Sequence, residues 1–260
     1  MSATVRDANE HDLDAILQLT TANRRLLASL EPWFWRPSER ADALHALWIT
    51  HLVKSLETPT RVALDGETVA AFAVSNPQPQ CWFVDDVCAS DWAGAGVALL
   101  AGIPERPALA CLARADEARV RAGEAAGLRR AGSYRALRLE AITGAASDQA
   151  ARPPELAPPP AHTFPIPEEA RVFVADAAGG YAVGSPPFAP PPIYDGGGPV
   201  CVIDRIIGED REGLLLQMLR VARARGDAAA IVVVDEPDRE LAAILDAFDA
   251  RHPVDLYRWP

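Results

Sequence analysis

The sequence predicts an α/β protein, of the α+β type with a mixed sheet, built as two related lobes. Residues 61–74 and 171–184 share one pattern, in which two strand-like runs flank a turn rich in Asp or Gly. This pattern is typical of a β-hairpin. Each hairpin is followed by elements of the same kind in the same order, and such a series indicates duplication. A proline-rich stretch separates the two copies.

The elements after each hairpin also match one another. A proline-bearing connection leads to a strand with an apolar–acid–any–apolar frame, VDDV at residues 84–87 and IDRI at residues 203–206. An apolar helix comes next, followed by a buried-type strand at residues 108–113 or 229–234, an Asp-Glu pair, a second helix and a closing strand. The same series of sheet and helix elements is therefore expected in each lobe.

Only the first lobe carries two helices in front of its hairpin. Helical spacing predicts one helix at residues 12–27 and another from Ser38 to about Leu56. The predicted core face of the second helix consists of Ala41, Leu44, Leu47, Trp48, His51 and Leu52. His45 and His51 are six residues apart and point to different faces, so they indicate neither a zinc pair nor a catalytic dyad. The second lobe is therefore truncated at its front.

The join between the lobes has the composition of a linker. Residues 141–169 are rich in proline, poor in aromatic side chains and without a period, which is typical of an extended, semi-rigid connection. We predict a first domain at residues 1–140, a linker at residues 141–169 and a second, shorter lobe at residues 170–260.

Composition argues against several classes of protein. The formal net charge of −11 argues against a nucleic-acid partner, which would need a clustered basic surface. No apolar run approaches the roughly 18 to 20 residues of a membrane span, and the N-terminal stretch lacks the apolar core of a signal peptide. We therefore expect a cytoplasmic protein with no membrane partner. The four cysteines show no metal-ligand spacing, so we expect buried thiols and no metal.

The order of elements, together with the stretch DWAGAGVALL at residues 91–100, resembles the GNAT superfamily of acyl-CoA-dependent N-acyltransferases. The resemblance covers a whole family domain in the first lobe and the later part of one in the second, which implies a tandem GNAT-like acyltransferase fold. The family turn has Arg or Gln, two residues, Gly, any residue, then Gly or Ala. Gly94 and Gly96 fill the glycine positions, whereas Asp91 occupies the position of the cation.

The resemblance implies that this turn binds acetyl-CoA or another acyl-CoA. The cofactor-binding residues that it implies are Val87, Ala93, Gly94, Ala95, Gly96 and Val97. Backbone N–H groups at a helix start can hold a pyrophosphate, but the Asp91 carboxylate would repel it and could itself cap those groups. Two interpretations follow, a weakened cofactor turn or an ordinary capped helix. The second lobe has Glu209, Asp210 and Glu212 at its turn and is expected to have lost cofactor binding.

Asp85 and Asp86 are the candidate catalytic residues. The resemblance implies that an acid at the end of the fourth strand directs deprotonation of the amine, and that a backbone N–H near a bulge polarises the acyl carbonyl. Because neighbouring strand residues point to opposite faces, at most one of the two carboxylates faces the cleft; both could equally be structural acids. The family tyrosine that protonates the thiolate is replaced here by Gly123.

Acceptor selection in the family depends on the connection between the first two helices, SLEPWFWRP in this chain. Its candidate substrate-binding residues are Glu31, Trp33 and Trp35, although a packed lid is an equal alternative. We predict an N-acetyltransferase that transfers an acyl group by direct attack of a small-molecule or peptide amine. The alternative is a catalytically retired GNAT fold that binds a ligand or a protein. The expected state is a monomer, as a pseudo-dimer of lobes, or a homodimer.

Overall fold

The computed structural model describes residues 3–55, 57–78, 81–146, 148–158, 168–187, 193–195 and 197–259. The strands are β1 Thr4–Asp7, β2 Thr60–Asp65, β3 Thr68–Pro77, β4 Trp82–Ala89, β5 Ala108–Ala113, β6 Arg129–Arg138, β7 Val172–Ala175, β8 Tyr181–Gly184, β9 Val200–Ile207, β10 Ala229–Asp235 and β11 Arg251–Arg258. The helices are α1 Leu13–Leu30, α2 Ala41–Lys54, α3 Val97–Gly102, α4 Glu117–Ala125, α5 Arg211–Ala224 and α6 Arg239–Ala247.

The described residues fall into two compact units. The first unit lies within Met1–Ala131, Pro192–Tyr194 and Val254–Pro260, and the second within Gly132–Pro191 and Asp195–Pro253. Both hairpins predicted from the sequence are confirmed, β2 with β3 and β7 with β8. The predicted mixed α/β architecture is likewise confirmed, because parallel and antiparallel strand pairs occur in both units.

The strands of the first unit follow the order β1-β2-β3-β4-β5-β11. β4 and β5 are parallel, and their register runs only from Trp82↔Ala108 to Val84↔Ala110. Both strands continue beyond that register, to Ala89 and Ala113, without a further described pair. The two strands therefore separate into a splay after Val84.

The last strand of each sequence half completes the sheet of the other compact unit. Most of β6 belongs to the second unit, where it pairs antiparallel with β10. Most of β11 belongs to the first unit, where it pairs antiparallel with β5. The buried Trp259 follows directly after β11. Its indole Nε1–H donates to the Leu100 carbonyl at 2.9 Å. The compact units thus differ from the sequence division at residue 140 by these two strands and by Pro192–Tyr194, which belongs to the first unit.

The predicted core face of α2 is confirmed at Ala41 and Leu52, whereas Leu47, Trp48 and His51 of that face are exposed. The buried residues are Ala41, His45, Ile49 and Leu52, whereas Leu47 is 68% exposed and Trp48 is 43% exposed. Both stripes have helical spacing, so the sequence alone could not distinguish them. The helix presents the stripe that includes His45 because its imidazole has polar partners in the interior. The helix also begins later than predicted, at Ala41, while Leu56 lies outside the described residues.

In the second unit, the described part of the linker covers a sheet face. Ala150 and Leu156 pack against an apolar cluster of Phe173, Tyr181 and Val183. The Ala150 N–H donates to the Phe173 carbonyl at 2.9 Å, and the Ala157 N–H donates to the Tyr181 hydroxyl at 2.8 Å. A segment of linker composition therefore shields apolar side chains of the β7–β8 hairpin.

Candidate active site

A β-bulge in β4 organises the candidate site. The register with β3 passes from Val74↔Asp85 to Phe72↔Cys88, which leaves Asp86 and Val87 inside the bulge. Asp86 has φ +48°, a left-handed conformation that aspartate tolerates better than most residues. Its backbone N–H donates to the Asp85 carboxylate at 2.9 Å. The bulge begins where β4 leaves β5, so both candidate carboxylates lie at the start of the splay.

The Asp85 carboxyl is the titratable group of this bulge. Protein atoms surround it closely even though the residue is open to solvent on one side. Desolvation, followed by repulsion from Asp86, raises the pKa of Asp85 to about 6, while the hydrogen bond from the Asp86 N–H opposes the rise. Solvent access reduces the free-energy cost of this arrangement. A carboxylate with a pKa near neutrality suits a general base.

Asp86 is the end of a polar chain that crosses two helices. Its Oδ2 lies 3.3 Å from His45 Nε2, and His45 Nδ1 contacts the guanidinium of Arg24, which also pairs with Asp42. Arg24 and His45 are both buried. Because a guanidinium can only donate, Nδ1 must accept and the neutral imidazole carries its proton on Nε2. That proton is donated to Asp86, so His45 orients Asp86 and is not itself available as a base.

Tyr194 joins this site from the proline-rich connection after β8. Its backbone forms a bridge with Pro37, and the Ser38 N–H donates to the Ile193 carbonyl at 3.0 Å. Burial raises the pKa of the Tyr194 phenol, and repulsion from Asp86 and Asp85 raises it further. The phenol is therefore protonated at neutral pH, and its raised pKa makes it a weaker proton donor than a free phenol. Sequence analysis missed this residue because it lies in an irregular segment more than a hundred residues from β4.

Among the residues predicted for the acceptor, Trp35 has a described ring contact with Tyr194. Its ring meets the Tyr194 ring edge-on at a centroid distance of 5.2 Å. Trp33 connects to it through Phe34, at 6.2 Å and 4.7 Å. The Glu31 carbonyl accepts the N–H groups of Phe34 and Trp35 at 3.1 and 3.0 Å, so its backbone shapes the turn that presents these rings.

Arg119 is a second residue that the sequence did not reveal. It is buried on α4, where its Nε donates to Asp116 at 3.1 Å and its guanidinium contacts Asn23 of α1. The same guanidinium lies 5.0 Å from the ring centroid of Trp92, within the range of a cation–π interaction. Burial lowers its pKa, although an arginine remains charged. Arg119 thereby connects the turn at Trp92–Gly96 with α1, the helix that also carries Arg24.

The turn at Trp92–Gly96 is capped by the chain itself. The Asp91 side chain accepts the Ala95 N–H at 3.3 Å, and the Asp91 carbonyl accepts the Gly96 N–H at 2.8 Å. A Cβ at Gly94 would overlap the Asp91 carboxylate, and one at Gly96 would lie 2.6 Å from the Trp92 ring. The other predicted cofactor residues are the exposed Ala93, the partly buried Val97 and the buried Val87.

In the second unit, an aspartate also caps the helix start, and the acid that corresponds to Asp85 is paired with arginines. The Asp210 side chain accepts the Gly213 N–H at 2.9 Å, and a Cβ at Gly213 would again overlap the carboxylate. Asp204, the counterpart of Asp85, is buried between Arg171 and Arg205. Each of its carboxylate oxygens accepts a guanidinium N–H, so Asp204 has a structural role in this unit.

Gly123 cannot be replaced by the family tyrosine without rearrangement. It is buried on α4, and a Cβ there would lie 2.7 Å from Leu112 Cδ1. The inner face of α4 therefore packs directly on β5 at this point, and the acid expected from the family has no room.

The described ranges contain neither a metal-binding cluster nor a helix that could span a membrane. They hold no group of three or more His, Cys, Asp or Glu side chains arranged to bind a metal ion. Across the same ranges, every helix is too short or too polar to cross a membrane.

The splay, the bulge and the capped glycine turn define the class of fold, that of the GNAT acetyltransferases. A GCN5-related N-acetyltransferase from Sphaerobacter thermophilus aligns with a TM-score of 0.51 and 13% identity over 98% of this chain and 95% of that chain. A protein assigned to the acetyltransferases from Thermoplasma acidophilum aligns with a TM-score of 0.52 and 11% identity over 98% and 99%. Neither a protein-family profile nor a curated protein matches the sequence. At these identities the likeness establishes the fold, and the predicted GNAT-like fold is confirmed.

Proposed function

We propose that the chain is an acyl-CoA-dependent N-acetyltransferase that works through its first lobe, with direct attack by an amine of a small molecule or peptide. The observation that carries the proposal is the bulge in β4, where Asp85 and Asp86 interact electrostatically with Tyr194 at the start of the splay. Aminolysis of a thioester needs a proton acceptor and a proton donor near one point, and we assign these two roles to Asp85 and Tyr194.

Asp85 is the proposed proton acceptor. An amine with a pKa near 10 is mostly protonated at neutral pH and must lose a proton before it attacks. Asp85, with a pKa of about 6, is mostly ionised at pH 7 and can accept that proton directly or through water. Asp86 is held by His45 and has the role of orienting Asp85 through its backbone N–H.

Tyr194 is the proposed proton donor for the departing thiolate. Its raised pKa keeps the phenol protonated. This donor would take over the part of the tyrosine for which Gly123 leaves no room. A thiol with a pKa of about 8.5 is also a fair leaving group without assistance, so loss of Tyr194 is expected to slow the reaction without abolishing it.

A bound acyl-CoA would supply an activated thioester carbonyl. The residues proposed to line it are Val87, Ala93, Gly94, Ala95, Gly96 and Val97. The splay between β4 and β5 fits the pantetheine arm of such a group. The turn fits its pyrophosphate poorly, since Asp91 already accepts the N–H groups of Ala95 and Gly96.

The acceptor is proposed to bind beside the rings of Trp33 and Trp35. Aromatic faces attract ammonium groups, and the neighbouring Glu31 would add to that attraction. Asp85 is an acid close by that no guanidinium neutralises among the described contacts, in contrast to Asp204 of the second lobe. A cationic amine therefore has a more favourable electrostatic environment here than an anionic acceptor.

The test is release of free thiol from acetyl-CoA in the presence of a panel of primary amines. We expect release with the unmodified chain, strong loss in Asp85→Asn, and partial loss in Tyr194→Phe. Asp65→Asn is the matched control, because Asp65 is an exposed acid of the β2–β3 turn in the same unit.

A second candidate function is a retired acyltransferase fold that binds a ligand or a protein. The capped turn favours it, because the Asp91 carboxylate lies over Gly94 and accepts the Ala95 N–H, one of the groups that would hold a cofactor. Absence of thiol release with every amine, together with an unfolding midpoint that acetyl-CoA at millimolar concentration does not raise, would favour this candidate over the enzyme.

A further inference from the structure

Both glycines of the turn are explained by packing within the chain. Gly94 has no side chain because the Asp91 carboxylate lies over its α carbon, and Gly96 has none because the Trp92 ring lies against it. Trp92 is in turn covered by Arg119. The two glycines therefore do not require a pyrophosphate to account for them.

Two N–H groups of the turn already have acceptors on Asp91. The Ala95 N–H is donated to the Asp91 carboxylate and the Gly96 N–H to the Asp91 carbonyl. A pyrophosphate could reach them only after the Asp91 side chain had moved away. Even then a negative charge would remain beside the phosphates.

The second lobe repeats this device. Asp210 caps the start of α5 and overlaps the same position on Gly213 that Asp91 overlaps on Gly94. The Asp-x-x-Gly cap is therefore common to both copies of the duplicated fold. In each copy, the aspartate carboxylate leaves no space for a side chain at the glycine.

The splay of the first lobe differs from the turn in its access to solvent. β4 and β5 separate after Val84↔Ala110, and Asp85 at that point remains open to solvent. A pantetheine thioester could thus enter the splay even though its nucleotide end would meet the Asp91 carboxylate over Gly94 at the turn.

We infer that the acyl donor of the first lobe is recognised by its pantetheine thioester alone, with no contribution from the nucleotide pyrophosphate. This rests on the proposed function. Acyl transfer forms a C–N bond to the amine and breaks the C–S bond; the amine proton goes to Asp85 and the thiolate takes a proton from Tyr194. Acyl-pantetheine therefore serves as a donor as well as acyl-CoA does.

The test compares three donors on the full chain: S-acetyl-pantetheine, S-acetyl-4′-phosphopantetheine and acetyl-CoA. Dissociation constants are measured by calorimetry for the unmodified chain, for Asp91→Ser and for Asp91→Asn. Serine retracts from Gly94 and still caps a helix, whereas asparagine keeps the shape and removes the charge. Asp210→Ser is the matched control, because it makes the same change at the cap of the second lobe.

The unmodified chain is expected to bind the three donors with dissociation constants within about threefold of one another. Asp91→Ser is expected to tighten acetyl-CoA by at least about tenfold, with Asp91→Asn intermediate and acetyl-pantetheine unchanged. Asp210→Ser should behave as the unmodified chain does.

Two outcomes would overturn different statements. Acetyl-CoA binding at least tenfold tighter than acetyl-pantetheine in the unmodified chain would overturn the inference and leave the proposed function standing. Failure of all three donors to bind any variant, with unfolding midpoints unchanged by the substitutions, would overturn the proposed function and the inference with it.

Discussion

Replacing His45 with leucine should destabilise the first unit, because it breaks the polar chain that ends at Asp86. The imidazole is 3% exposed and makes two contacts, with the buried Arg24 and with Asp86. Hydrogen bonds to charged groups contribute about 1.5 to 3 kcal/mol each, and the 3.3 Å contact to the partly exposed Asp86 belongs at the low end. Burial of the leucine side chain adds about 1 kcal/mol to the free energy of unfolding and offsets part of this loss. The expected net loss is about 2 to 3 kcal/mol.

Glutamine is the matched substitution at this position. Its amide oxygen can accept from Arg24 and its amide N–H can donate to Asp86, so it reproduces the polarity assigned to the imidazole. The expected loss for His45→Gln is below about 1 kcal/mol.

Urea unfolding followed by tryptophan fluorescence measures this difference. All six tryptophans of the chain lie in the first unit, so the signal reports that unit. A variant His45→Leu within about 0.5 kcal/mol of the unmodified chain would refute the reasoning that His45 satisfies a buried guanidinium. A His45→Gln variant as unstable as His45→Leu would contradict the assigned tautomer.

Three further predictions concern the candidate site and the pairing of β11 in the first unit. With the pKa of Asp85 at about 6, kcat/KM should rise as pH increases through 6, and Asp85→Asn should lose this rise. Because the pKa is raised in the folded state, Asp85 also lowers the free energy of unfolding as pH rises from about 4 to 6. Trp259→Ala should lower the free energy of unfolding by about 3 to 5 kcal/mol, measured by the same fluorescence assay, because a buried ring and its hydrogen bond to Leu100 are lost; a loss below about 1 kcal/mol would contradict the pairing of β11 in this unit. Gly123→Tyr should destabilise by about 1 to 3 kcal/mol through overpacking against Leu112 and should not speed thiol release; a faster variant would show that the acid position is open after all.

The order of strands and helices was predictable because it follows from short-range pattern. The hairpins, the buried strands and the helix starts at Asp91 and Asp210 depend on alternation, turn residues and caps, all of which lie within a few residues of one another. The face of α2 was not predictable in this way, because two stripes of equal spacing compete and only contact with other elements selects one. His45 was consequently set aside although it contacts a candidate carboxylate.

Within the candidate site, the bulge carboxylates were identified from sequence and their partners were not. Asp85 and Asp86 follow a strand frame that is visible locally. Arg24, Arg119 and Tyr194 come from two helices and a distant irregular connection, and no local pattern connects them with β4. Their roles as catalytic or positioning residues stay predictions.

The sequence by itself determined the duplication, the order of elements, the glycine turn and the aspartate that caps it, because each of these depends on neighbours along the chain. The tertiary structure decided which strand completes each sheet, which face of α2 is buried, and which side chains meet Asp86. Those features depend on contacts between segments far apart in the chain, such as β5 with β11 and Trp35 with Tyr194. Strand pairing uses backbone groups that every residue carries, so only the packing of the folded chain selects the partner.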